Sequence, residues 1–224
     1  MKRASQPNRT LDLPDSKTIA LTHDDDASWL CVAQLPKNLM PTEETIKEIW
    51  LMRPAQHSKI KIFGKEIEVP RYDQAFGRAY NFSGTNHEAR PLPALLQTYM
   101  DFANQACTTI LERDYDGLQF NMLFCNWYVD GNHYIGWHSD DETQLYKNRH
   151  DETLVFSISL GQQRRFLLKH RTIKAKPLTV DLANGDCVLM AGRCQRNYKH
   201  SVPKEPTKAM GKRFNMTFRL FKPV

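Results

Sequence analysis

Three residues could hold a metal ion between them. His138 and Asp140 stand two apart in Trp137-His138-Ser139-Asp140, and on an extended chain such residues face the same way. One short edge could therefore offer two ligands. Further along, His200 lies in the strand-like Tyr198-Lys199-His200-Ser201-Val202 and could supply a third. Two imidazoles and one carboxylate make a facial triad, which leaves positions open on an octahedral Fe(II) for a bidentate cosubstrate and dioxygen. A zinc hydrolase would draw on the same ligand types. The segment Arg213-Phe214-Asn215-Met216-Thr217-Phe218-Arg219 bears on that choice. As a strand it sets Arg213, Asn215, Thr217 and Arg219 on one face and the three apolar residues on the other. Two guanidiniums on a buried face need anions, and a dicarboxylate answers through bidentate pairs. A solvated edge strand is the plainer reading of the same alternation.

These groups need a scaffold. From Phe120 onward the pattern is of short strands, near 120–129, 153–160, 164–170, 178–182, 186–190, 198–202 and 213–221. Turns fall at Asp130-Gly131, Gly161, Asn184-Gly185 and Gly192. Strands this short and this closely spaced point to a sandwich or barrel rather than a parallel α/β sheet. The stretch Arg165–Lys169 has the look of a short clamp-binding peptide, but its alternation fits a barrel strand. Upstream, Ser28–Leu35 reads as a strand, and Thr42 caps a helix with Glu43 and Glu44 in its first turn. Lys59–Val69 alternates as two strands with Phe63-Gly64 at the turn. Pro91–Asp114 reads as one helix, ended by Asp116-Gly117. Residues 1–27 are polar, end in Asp24-Asp25-Asp26 and read as a disordered or loosely ordered tail.

Composition bounds the rest. A chain of 224 residues, 41% hydrophobic and 25% charged, suits one large or two small globular domains. No apolar run approaches the roughly 18–20 residues of a membrane helix, and MKRASQPNRT has no apolar region of a secretory signal behind its basic residues. The five cysteines are scattered without CxxC spacing, which argues against zinc fingers and disulfide frameworks and for a reducing, intracellular setting. They are given no role. The net charge of +6 is uneven. Residues 1–160 hold 16 basic and 22 acidic residues, whereas 161–224 hold 15 and 3. A basic block of that kind fits a polyanionic partner, or simply a solvated basic surface.

In their order and spacing, Asn126-Trp127-Tyr128, His138-Ser139-Asp140-Asp141-Glu142, His200 and the 213–219 segment resemble the AlkB family. These are Fe(II)- and 2-oxoglutarate-dependent dioxygenases that remove alkyl groups from nucleobases. Phe63-Gly64-Lys65, Val69-Pro70-Arg71 and Tyr80-Asn81-Phe82-Ser83-Gly84 resemble the branch that repairs duplex DNA. The resemblance runs from about residue 29 to 222. It implies an α+β, mainly β fold: a double-stranded β-helix (jelly roll) over 119–224, preceded by an N-terminal α/β nucleotide-recognition lid with a hairpin over 28–118.

The resemblance also implies roles. His138, Asp140 and His200 would bind iron, and Arg213 would pair with the far carboxylate of 2-oxoglutarate. Asn126, Tyr128, Asn215, Thr217 and Arg219 would complete the cosubstrate pocket. Phe63, at a hairpin tip with Gly64 and flanked by Lys59, Lys61 and Lys65, would fill the gap left by a flipped base. Phe82 would stack on that base opposite His138, with Tyr80 on the same face, and Arg71 would contact DNA. Asp141 and Glu142 would surround the base and suit a cationic lesion such as 1-methyladenine or 3-methylcytosine. Trp137 departs from that branch, which carries an acidic residue there.

The implied activity is oxidative demethylation of bases in DNA with Fe(II), O2 and 2-oxoglutarate, releasing formaldehyde and succinate. The implied partner is DNA, duplex or single-stranded, with RNA second. The enzyme would be a monomer, off the membrane, nuclear in a eukaryote and cytoplasmic otherwise. A same-fold RNA demethylase, a 2-oxoglutarate-dependent protein hydroxylase and a non-enzymatic nucleic-acid-binding module are the competing readings.

Overall fold

The alternation seen after residue 120 becomes paired strands in a computed structural model, which describes residues 9–21, 27–62, 64–82, 85–206 and 209–223. The strands of the C-terminal half are β9 (Met122–Tyr128), β10 (Ile135–His138), β11 (Val155–Gly161), β12 (Arg164–His170), β13 (Leu178–Leu182), β14 (Asp186–Gly192), β15 (Tyr198–Val202) and β16 (Arg213–Arg219). The N-terminal half adds β1 (Lys17–Ala20), β2 (Ser28–Gln34), β3 (Lys59–Ile62), β4 (Lys65–Glu68), β5 (Tyr72–Phe76), β6 (Tyr80–Phe82), β7 (Thr85–His87) and β8 (Ala89–Arg90). An eight-stranded sheet runs β1-β2-β14-β11-β16-β9-β5-β8, and a four-stranded sheet runs β10-β15-β12-β13. Together they form the jelly roll.

Period-2 patterning decides which face of the large sheet meets what. Phe156, Ile158 and Leu160 of β11 share one apolar cluster with Phe214, Met216 and Phe218 of β16 and with Leu123, Cys125 and Trp127 of β9. Residues of α2 (Ala94–Ala106) and α3 (Thr108–Asp114), among them Tyr99, Phe102 and Ile110, fill the same cluster. The helices thus cover the outer face of the sheet. The alternate residues turn inward. There Val155, Val188 and Met190 meet Phe166, Leu168, Leu182 and Val202 of the small sheet. The polar residues of β16 and β9 face inward at the remaining end, which the apolar packing leaves open.

The helix expected over 91–114 is two helices. The chain breaks at Cys107 (φ −111°, ψ 9°). Asp12 explains the restart: its carboxylate accepts from the Thr109 N–H at 2.8 Å, and its own N–H donates to Ala106 O at 2.8 Å. An orphan amide at the start of α3 is thereby satisfied by a remote residue. Leu11 and Leu21 are buried and β1 pairs with β2, so residues 9–21 add an edge strand where a loose tail was expected. The large sheet also crosses the 118/119 boundary, since β2 pairs with β14 and β5 with β9.

The first helix, α1 (Glu43–Leu51), begins as expected, with Thr42 Oγ1 accepting from the Thr45 N–H at 3.2 Å. The β3–β4 hairpin also forms as the sequence requires. Ile62 pairs with Lys65, so the two strands meet at a tight turn that includes Gly64. Gly64 takes φ +76°, a left-handed conformation that glycine adopts without a Cβ penalty. Phe63 itself lies outside the described residues.

Candidate metal centre and cosubstrate pocket

The small sheet brings the three candidate ligands together. His138 on the edge strand β10 is in register with His200 on β15, and their ring centroids lie 4.1 Å apart. Asp140 follows β10 by two residues. One ligand atom from each of His138, Asp140 and His200 lies within 4.8 Å of the others. The Asp140 backbone N–H donates to Gln195 Oε1 at 2.9 Å, and Arg219 Nη2 donates to Asp140 Oδ1 at 2.6 Å. His138 Nδ1 lies 2.9 Å from Gly136 O. A carbonyl only accepts, so Nδ1 carries the proton and Nε2 keeps its lone pair for a metal.

Electrostatics favours the same protonation states. Burial pushes the His200 imidazole down to about 3, with His138 adding to the effect. Burial lowers His138 too, although Asp140 opposes it. Burial alone would raise Asp140, but Arg219, His200 and His138 together hold its carboxyl below the usual range. Two neutral imidazoles and one carboxylate on one side of a cavity make a donor set that fits Fe(II) with open positions.

The polar face of β16 lies beside this cluster. Arg213 is only 2% exposed, and its Nη2 donates to Ser159 Oγ at 2.9 Å. Its guanidinium sits 4.9 Å from the centre of the Tyr128 ring. Nε and Nη1 have no hydrogen-bond partner among the described residues. A buried guanidinium with two unused donors is costly, and burial lowers its proton affinity despite the opposing effect of Tyr128. A ligand carboxylate would complete it. Asn215 Nδ2 donates to Ile158 O at 2.9 Å, and Thr217 Oγ1 reaches Asn215 Oδ1 at 3.4 Å. These contacts fix the two side chains along the same wall. Arg219 lines the cavity as expected, and its shortest ion pair is with Asp140, so it also steadies that candidate metal ligand.

The cavity measures about 420 Å³, within the range of small-molecule sites, roughly 300–1,000 Å³. His138, Asp140, His200, Asn126, Tyr128, Arg213, Asn215, Thr217 and Arg219 all line it. So do Arg71 and Glu142, together with Ile60, Ile67 and Glu68 of the β3–β4 hairpin. Arg71 is 8% exposed and donates from Nε to Asn126 Oδ1 at 2.6 Å. It is thus held against Asn126 in the cavity wall. Glu142 Oε1 lies 3.6 Å from Arg219 Nη1, while Oε2 has no hydrogen-bond partner among the described residues. Burial, helped by the charge of Asp140, pushes its carboxyl up to about 6 against the pull of Arg219.

Not every expected residue arrives there. Asp141, its side chain 60% exposed, turns away and pairs with Arg171 at 2.9 Å. Adjacent residues leaving a strand point apart, so only Glu142 of the two faces the cavity. The backbones of Tyr80 and Phe82 form β6, but their side chains lie outside the description, as does Phe63.

Several contributors carried no sequence signal. Gln195 holds the Asp140 amide from α4 (Cys194–Asn197), a single turn. Arg164, 1% exposed, ties Glu205 to the carbonyls of Asp130, His133 and Pro203. Ser159 steadies Arg213, and Asp73 stands beside Arg71 at 3.8 Å. At the hairpin base, His57 packs against Tyr72 and His133 with centroids 4.1 and 5.4 Å away. The Tyr134 N–H donates to Pro70 O at 3.1 Å in the same place. This cluster anchors the hairpin to the loop that leads into β10. Only paired positions with a repeat or a motif are visible in sequence, and these contacts join distant segments without one.

Similarity to other proteins agrees with this geometry. The chain is 29% identical over 177 residues to the mouse "DNA oxidative demethylase ALKBH2", a match covering 75% of this chain and 68% of the relative. It is 28% identical over 172 residues to the human protein of the same name, covering 72% of this chain and 60% of that one. The solved structure of OsALKBH1 superimposes with a TM-score of 0.57 at 19% identity, over 85% of this chain and 96% of that one, and so shares the fold. The family model of the 2OG-Fe(II) oxygenase superfamily matches residues 38–219, a stretch that contains the whole candidate site. The chain belongs to the 2OG-Fe(II) oxygenase superfamily, whose members use Fe(II), 2-oxoglutarate and O2.

Proposed function

We propose that the protein removes methyl groups from the ring nitrogens of cationic bases in DNA, as direct reversal of alkylation damage. The names of the mouse and human relatives support this, as does the cavity itself. His138, Asp140 and His200 hold Fe(II), and Arg213 grips the far carboxylate of 2-oxoglutarate while Tyr128, Asn126, Asn215 and Thr217 shape its pocket. The bound metal supplies oxidation of the N-methyl carbon by O2, with 2-oxoglutarate converted to succinate and CO2. The hydroxymethyl group then leaves as formaldehyde and the base is restored. The chain's own residues keep the centre dry, hold the two imidazoles neutral and aim the methyl carbon. A base must leave the duplex to reach a site this deep. The protein acts as a monomer on DNA, in the nucleus of a eukaryotic cell or the cytoplasm otherwise.

One observation carries the choice of substrate. Glu142 is a buried carboxylate with an unused oxygen inside the cavity, two residues from Asp140. A cationic base such as 1-methyladenine or 3-methylcytosine would pair with it, whereas the undamaged neutral base would leave it desolvated without a counter-charge. Glu142→Gln is therefore expected to lower kcat/KM on a 1-methyladenine oligonucleotide at least about tenfold, the loss of one charge-assisted hydrogen bond. The neutral 1-methylguanine should change much less. Equal losses on both would remove Glu142 from base selection.

A further inference from the structure

Five large apolar side chains are exposed among the described residues, and three of them, Ile67, Tyr134 and Trp137, border the cavity. Trp137 is the most unusual of these. It is 37% exposed and immediately precedes His138 on β10, the edge strand of the small sheet. The register of β10 is irregular between Ile135 and His138, and the indole of Trp137 lies against the outer face of the small sheet, beside the wall that His138 forms. Lys169 of β12 lies on that outer face, with its Nζ 4.3 Å from the centre of the indole. Lys199, in register with Lys169, shares the face. A flat aromatic surface with one lysine against it and a second on the same sheet face thus begins where the cavity ends.

We propose that Trp137 and Lys169 form a stacking shelf for an unpaired nucleobase adjacent to the base held in the cavity, and so direct the enzyme toward single-stranded nucleic acid. The proposal rests on the nucleobase reading above and names its substrate form. A base offers its π-face to a side chain only when it is unstacked, which single strands allow and an intact duplex does not. Lys169 is suited to the backbone beside such a base. A surface cation–π contact is weak, so the ammonium can leave the indole for a phosphate when a base takes its place. Every base has a π-face, so the shelf tolerates any neighbouring sequence. It also accounts for a large apolar residue kept in water beside a metal ligand.

The test compares the wild type with Trp137→Ala and Trp137→Phe. Binding is read from the fluorescence anisotropy of labelled, unmodified oligodeoxythymidine and of a duplex. Formaldehyde release is read in parallel from 1-methyladenine in a single-stranded oligonucleotide and in a short nucleotide without neighbours. Trp137→Ala should weaken single-strand binding about tenfold, the usual worth of one stacked base, and weaken duplex binding far less. Trp137→Phe, which keeps an aromatic face, should hold single-strand affinity to within about threefold. The KM of Trp137→Ala for the methylated oligonucleotide should rise by about tenfold more than its KM for the isolated nucleotide.

Unchanged binding, equal losses on single strand and duplex, a matching loss in Trp137→Phe, or no single-strand binding by the wild type would each overturn the shelf. Binding that splits as expected, without formaldehyde release by the wild type, would leave the shelf standing and remove the demethylation reading alone.

Discussion

Asp140→Asn is expected to lower turnover by at least about 100-fold, while the protein still folds. The amide keeps the shape of the side chain and can still accept from Arg219, whose Nη2 lies 2.6 Å from Oδ1. What it loses is the anionic ligand between two neutral imidazoles. Removing a partner that only orients a ligand commonly costs 10–100-fold in metal affinity or activity, so losing a ligand should exceed that range. Alanine is a poorer test. It would remove the 2.6 Å carboxylate contact of the buried Arg219 guanidinium and leave it the more distant Glu142 at 3.6 Å, a change that destabilises on its own. Gln195→Ala removes the acceptor for the Asp140 amide, together with the Nε2 contact to Met190 Sδ, and should fall within the 10–100-fold range. The measurement is succinate formation at saturating 2-oxoglutarate, with Fe(II) titrated. An Asp140→Asn enzyme that reaches wild-type turnover at high iron would show that the carboxylate is not a ligand.

Arg213→Met should separate cosubstrate binding from folding. The native guanidinium is 2% exposed, with one hydrogen bond to Ser159 and two nitrogens unpartnered among the described residues. Exchanging a buried ion for an apolar side chain of similar volume is often neutral, or stabilising by about 1–4 kcal/mol. The ligand-free variant should thus melt at or above the wild-type temperature. Its response to the same concentration of 2-oxoglutarate should shrink to about a third or less. For the wild type, ligand at about 100 times Kd contributes roughly 2.7 kcal/mol, or about 5–10 °C for a chain of this size. Loss of a buried charge-assisted contact costs at least about 2 kcal/mol, so affinity should drop about 30-fold or more. Thermal shift with a redox-quiet divalent metal reads both effects. A variant that melts lower yet keeps the full ligand shift would assign Arg213 to the core instead.

What the sequence showed and what it hid follow from the range of the forces involved. The polar face of β16 was legible because strand alternation is local: Phe214, Met216 and Phe218 enter the helix-packed cluster and the other four residues face the cavity. The β3–β4 hairpin and the Thr42 cap were legible for the same reason. The pairing of His138 with His200 was not visible in spacing alone, since it depends on the register of β10 against β15, and the resemblance supplied it. Asp141 and Glu142 look alike in sequence, yet as neighbours on the chain leaving β10 they point apart, one to Arg171 and the other into the cavity. The hydrogen bond of Arg71 to Asn126 joins residues 55 apart and has no local signature. The break at Cys107 depends on Asp12, nearly a hundred positions upstream of the amide it caps (|i−j| = 97). Each hidden feature is a long-range polar contact, which leaves no periodic trace.

The central claim is that this cavity oxidises the methyl group of a cationic base at a centre built on His138, Asp140 and His200. The most direct measurement incubates the protein with Fe(II), 2-oxoglutarate, O2 and an oligonucleotide bearing 1-methyladenine, and follows formaldehyde, succinate and the restored adenine together. The predicted result is equal amounts of formaldehyde and adenine, with at least as much succinate, and none of the three above background in Asp140→Asn. A methyl mark that survives while 2-oxoglutarate is consumed at a rate unaffected by the oligonucleotide would contradict the account.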